Sequence, residues 1–160
     1  MKTIQIKEQF KEDWNRVLNH IANLFYEDSV IQFSQDGADM SISFKHHTDS
    51  DYTITTHATL EVDGQTYTSD YSIGYATEGT EKEQSIRMKR ALSHVMLDVL
   101  EQYSGMTQQW GILTGVRPTK LYHKLRKEGK TPEEIFEVLK TDFRLSDAKI
   151  NLLKEIVARQ

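Results

Sequence analysis

His46, His47 and His57 lie close in sequence to Asp49 and Asp51, and histidine with carboxylate is a donor set that suits a divalent metal ion. If two adjacent strands turn here, the five side chains gather at one hairpin end. Against a metal centre, His46 and His47 are chain neighbours and on a strand point to opposite faces. The others fall in a polar turn, and the set lacks the closed ligands of a structural zinc site. A solvated hairpin end accounts for these residues better.

Trp110–Lys120, reading WGILTGVRPTK, is the segment that stands out. It is no phosphate loop, because no Gly-Lys-Ser/Thr follows the first glycine at the required gap, and it is no dinucleotide fingerprint. Its parts still carry chemistry. Gly111 and Gly115 permit backbone angles and close approaches that other residues resist. Pro118 suits the first turn of a helix, whose free N–H groups attract anions. Arg117 adds a bidentate donor and Lys120 a point charge. Trp110, Thr114, Gly115, Arg117 and Lys120 thus form a candidate carboxylate or phosphate site. The competing reading is a docking hinge, in which Trp110, Ile112 and Leu113 bury in an interface and Arg117 pairs with an acid. A single Arg and Lys near a helix start are common, so the hinge is preferred.

Arg87, Lys89 and Arg90 are interleaved with Ile86 and Met88. They read as a charged helix face rather than a phosphate-tracking surface, which usually accompanies strong positive charge. No Ser/His/Asp or paired-carboxylate set has a spacing that rises above chance. The chain has no cysteine. It therefore supplies no disulfide, thiolate metal site, cluster ligand or cysteine nucleophile.

The elements that must position these residues follow from periodicity. Lys2–Ile6 can form a short strand, and Phe10, Trp14, Val17, Leu18, Ile21 and Phe25 predict an amphipathic helix over about residues 7–26. A β-meander is expected next. Val30–Phe33 leads through Asp36-Gly37, a hairpin-turn pair, into a strand with Ala38, Met40, Ile42 and Phe44 on one face. A third strand carries Tyr52, Ile54, Ala58, Leu60 and Val62. Asp63-Gly64 turns into a fourth with Tyr67, Tyr71 and Ile73 inward. Thr53, Thr55, Thr59, Thr66 and Thr68 face outward, toward solvent or another domain. A long helix over about residues 81–103 ends at Gly105. Three short helices follow, over about 119–128, from the Thr131-Pro132-Glu133-Glu134 capping box to about 141, and from Ser146 onward. With few large apolar residues they make a poor core alone and are expected to dock on something.

The fold class is therefore α+β: an antiparallel β-meander with two long helices on one face over residues 1–105, then an all-helical segment over 106–160. The 160 residues, 38% hydrophobic and 28% charged, are globular in composition. No apolar run reaches the roughly 20 residues of a membrane span, and the first residues are no secretory signal. A cytoplasmic protein is expected. Net charge is −4, which argues against nucleic acid as the main partner, but it is uneven. Residues 1–109 hold 9 Lys and Arg against 17 Asp and Glu (−8), and residues 110–160 hold 11 against 7 (+4).

The run from Thr107 to Leu121, with Asn23–Glu27 earlier and Lys149–Gln160 later, resembles the N-terminal region of Bacillus-type oxygen-independent coproporphyrinogen III oxidase-like proteins of the radical S-adenosylmethionine class. The resemblance covers essentially the whole chain. It implies a larger remainder after residue 160, a radical-SAM domain holding a 4Fe–4S cluster on a C-x3-C-x2-C motif. That cluster would cleave S-adenosylmethionine and decarboxylate porphyrinogen propionates in haem synthesis. None of those cysteines is in this chain, so no catalytic, cofactor or metal residue carries over. The partners implied are that downstream domain and, for the longer protein, a porphyrinogen. Two other classes stay open: a protein- or nucleic-acid-binding module using the basic C-terminal segment, and a self-contained enzyme with an unfamiliar site.

Overall fold

In the computed structural model, residues 3–6, 12–26, 30–32, 38–113 and 118–160 are described. They form two compact units, Met1–Met106 and Thr107–Gln160.

The first unit is built on one five-stranded sheet. Its strands are β1 (Thr3–Ile6), β2 (Val30–Gln32), β3 (Met40–Thr48), β4 (Ile54–Val62) and β5 (Gln65–Ile73), in the order β2-β1-β3-β4-β5. β3, β4 and β5 form the expected antiparallel ribbon, with Asp63 and Gly64 both at positive φ in the turn. The expected pairing of β2 with β3 is not what forms. β1 lies between them and runs parallel to both, with Ile4 opposite Ile31 on one side and Met40 on the other. The sheet is therefore mixed, not a pure antiparallel meander, and Asp36-Gly37 lie outside the described residues. The physical reason is burial. Inserting β1 puts Ile4 and Ile6, both fully buried, in line with Met40 and Ile42 on the inner face. Parallel pairing of β1 and β2 needs a crossover segment, and the helix α1 (Glu12–Phe25) supplies it.

Helix α1 buries Leu18, Ile21, Ala22 and Phe25, a spacing of three and four that makes one stripe. It packs on α2 (Glu81–Ser104), which lies across β4 and β5. Every residue of α2 from Ala91 to Leu97 is buried, His94 and Ser93 included, because sheet and α1 cover it from different sides. Thr80 caps its start through the Glu83 N–H, and Gly105 in the left-handed region ends it.

The second unit contains α3 (Pro118–Lys127), α4 (Pro132–Thr141) and α5 (Asp147–Ala158). These helices were expected to need an outside surface, yet they enclose a core of their own. Tyr122, Leu125, Ile135, Leu139, Leu145, Ile150, Leu153 and Val157 are buried together, with Trp110, Leu113, Phe136 and Phe143 packed against them. Each helix contributes only two or three large side chains, but all of them converge. The connecting loops add the aromatic bulk.

Candidate functional site

The segment that precedes α3 is pinned by backbone hydrogen bonds. The Ile112 N–H donates to the Phe143 carbonyl at 2.9 Å, and the Ser146 N–H donates to the Gln109 carbonyl at 2.9 Å. Gly111 sits at φ +59 where the α4–α5 turn passes so closely that an added Cβ would lie 2.0 Å from the Phe143 carbonyl oxygen. Trp110 is half-buried against the helical core, and the Lys149 ammonium stands 5.1 Å from its ring centre. This is a cation–π contact, and its cation is Lys149 rather than Lys120. Lys120 is exposed on α3. Thr114, Gly115 and Arg117 lie outside the described residues. Trp110 and Leu113 thus help to fill the helical unit itself.

The histidine region separates in the structure. The Asp49 carboxylate builds the β3–β4 turn, accepting from the N–H groups of Asp51 at 2.9 Å and Thr53 at 3.0 Å. His46 and His47 are exposed on opposite faces of β3, and His57 bonds across the ribbon to Asp70. Among the described residues no group of three His, Cys, Asp or Glu is placed to hold a metal ion.

A cleft of about 560 Å³ opens where α1, the β3–β4 turn and the start of α2 meet. Trp14, Tyr52, Ile54 and Met88 form its apolar walls, and Asp49, Glu78 and Glu81 its acidic side. The Trp14 indole N–H donates to the Ser85 hydroxyl at 3.2 Å. Arg87 is occupied in holding the rim. Its guanidinium donates to the carbonyls of Thr77 and Glu78, each at 2.9 Å, approaches Glu83 at 3.6 Å and lies 3.9 Å from the Tyr75 ring centre. The first member of the Arg87, Lys89, Arg90 run is thus a staple for the loop before α2. Among the described residues no histidine or lysine lines the cleft, so they offer Ser85 no nitrogen base.

Three features were not singled out from sequence. His94, 3% exposed, stacks on Tyr71 with ring centres 4.0 Å apart and planes 10° from parallel. Asp63 accepts a hydrogen bond from the Tyr103 hydroxyl at 3.1 Å, and this bond holds that phenol above its usual pKa. Arg126, Lys130 and Lys154 border one cavity of about 390 Å³ in the helical unit. The turn after α3 brings Lys130 near Arg126, but Lys154 joins them only through the tertiary fold. Among the described residues no helix is long and apolar enough to cross a membrane.

The architecture defines a class: an α+β domain with a mixed five-stranded sheet, followed by a small three-helix unit. No protein-family model matches the chain. It is 38% identical over 159 residues to the oxygen-independent coproporphyrinogen-III oxidase-like protein HemZ of Bacillus subtilis. That alignment takes in 98% of this chain and 31% of the length of HemZ.

Proposed function

We propose that the chain is the N-terminal, non-catalytic part of an oxygen-independent coproporphyrinogen III oxidase-like protein, a cytoplasmic radical-SAM oxidoreductase of haem biosynthesis. The observation that carries this reading is an identity of 38% that runs through 98% of the chain while taking in only 31% of the relative. The residues present do not fit the cluster such a protein uses, because the chain has no cysteine to ligate iron. In this reading the cluster, S-adenosylmethionine and the porphyrinogen all belong to the remainder of the longer protein. The role of this chain is to dock on that remainder, with Arg117 and Lys120 near the joint.

Anaerobic iron and sulfide reconstitution tests it, on the longer protein and on residues 1–160 alone. The longer protein should gain cluster absorbance and cleave S-adenosylmethionine, and the chain alone should do neither. A cluster assembled on the chain alone would overturn the assignment. For docking, Arg117→Ala with Lys120→Ala should weaken activity of the longer protein, or binding of residues 1–160 added in trans to the remainder. An unchanged result in both assays would remove those residues from the joint.

A further inference from the structure

Arg126 in the last turn of α3, Lys130 in the α3–α4 turn and Lys154 on α5 come from three places in the chain to one cavity. The local cause is the end of α3. Gly129 adopts φ +87, its N–H donates to the Arg126 carbonyl, and the Lys130 N–H reaches back to Leu125. This closure turns the chain so that Lys130 returns beside the last helical turn. The floor between the cations is apolar, made by the buried side chains of Tyr122, Ile135 and Val157. Among the described residues no carboxylate lines the cavity and none of the three cations forms a salt bridge. The field of Lys130 reaches Glu134, whose carboxylate accepts the Thr131 N–H in the capping box and lies outside the lining. The cavity also adjoins the start of α4, whose first turn carries Glu133 and Glu134, both outside the lining.

Three like charges around one concave floor repel each other unless an anion lies between them. One carboxylate would be satisfied by the guanidinium alone. A phosphate carries up to two charges and three acceptor oxygens, which matches one guanidinium and two ammonium groups. A cavity of about 390 Å³ is at the small end for an organic ligand. We propose that this cavity is a binding site for a small phosphate ester, its phosphate on Arg126, Lys130 and Lys154 and its apolar or aromatic body on Tyr122, Ile135 and Val157. The site goes beyond the proposed function and depends on none of it.

Isothermal titration of the 160-residue chain at low salt decides the matter, with phenyl phosphate, inorganic phosphate and benzoate as probes. Phenyl phosphate should bind saturably, inorganic phosphate several-fold more weakly for want of the apolar contact, and benzoate about tenfold more weakly. Arg126→Gln with Lys154→Gln should weaken phenyl phosphate by about tenfold or more. Lys124→Gln with Lys127→Gln, exposed on α3 and outside the cavity, should change it by less than about twofold. Circular dichroism establishes that each variant keeps its helices, and Lys154→Gln alone serves if the double variant does not. No saturable binding, benzoate equal to phenyl phosphate, or equal loss in both double variants would each overturn the proposal.

Discussion

Replacing Gly111 with alanine should unfold the helical unit and spare the sheet. An alanine at φ +59 costs roughly 1–2 kcal/mol from the left-handed backbone alone. The new Cβ would also sit 2.0 Å from the Phe143 carbonyl oxygen and 2.6 Å from the Arg144 carbonyl carbon, and both are backbone atoms that no rotamer change can move aside. Forcing them apart costs about 1–3 kcal/mol, by analogy with overpacked cores. It also breaks the hydrogen bond from the Ile112 N–H to Phe143, worth about 1 kcal/mol. The sum, roughly 3–6 kcal/mol, compares with a total of roughly 3–8 kcal/mol expected for a unit of 54 residues. Hydrogen exchange read by mass spectrometry separates the outcomes. Protection should be lost across α3, α4 and α5 and kept across β3, β4 and β5. Gly129→Ala is the control, because φ there is +87 but no atom lies within 4 Å of the added Cβ, so only the backbone cost of roughly 1–2 kcal/mol is lost. If Gly111→Ala costs no more than Gly129→Ala, the close approach does not constrain the turn and the reasoning fails.

Three further changes probe other parts of the molecule. Glu134 is held below the usual carboxylate pKa chiefly by the Thr131 N–H, so its contribution is present above pH 4.5 and is lost as pH falls through the lowered folded value. Glu134→Gln keeps an acceptor in the capping box, and acid titration of helix content should lose that component; an unchanged acid profile would count against the box. Thr56 is 0% exposed and among the described residues its hydroxyl has no partner, so Thr56→Val should raise stability by up to about 1 kcal/mol in urea unfolding, and a clear loss would mean the hydroxyl is satisfied. Arg87→Ala should free the loop over residues 75–79 to limited proteolysis while thermal unfolding of the sheet unit shifts little; unchanged cleavage would show that the guanidinium is no staple.

What could be read from the sequence was what is decided locally. The start of α2 beyond Thr80, its end at Gly105, the Asp63-Gly64 turn and the capping box at Thr131 each rest on residues a few positions apart, and the structure has all of them. Pairing was not legible. Val30, Ile31 and Gln32 have no feature that chooses β1 over β3 as neighbour, and only the shared burial of Ile4, Ile6, Met40 and Ile42 decides it. Thr56 takes an inner position between Ile54 and Ala58 that hydrophobic alternation alone does not assign to a polar residue. Of the candidate loop, the glycine content was visible, but the chain that Gly111 must approach lies some thirty residues further on. The core of the helical unit was underestimated for the same reason. Sparse apolar residues on each helix say little until three helices and two loops pool them.

The position of β1 also bears on how the sheet can be assembled during synthesis. β1 leaves the ribosome before the other strands of its sheet, yet its neighbour β3 arrives 36 residues later, as the Thr3–Asp39 contact shows. At roughly 5–20 residues per second this strand waits some two to seven seconds with the edge that β3 will take unpaired. During that interval Ile4 and Ile6 are a short, sticky β-prone segment with no partner on that side, open to any chain that offers an edge. The β3–β4–β5 ribbon, joined by tight turns, can form alone and then receive β1 into place. The last step of sheet formation would then be the capture of the earliest of its five strands.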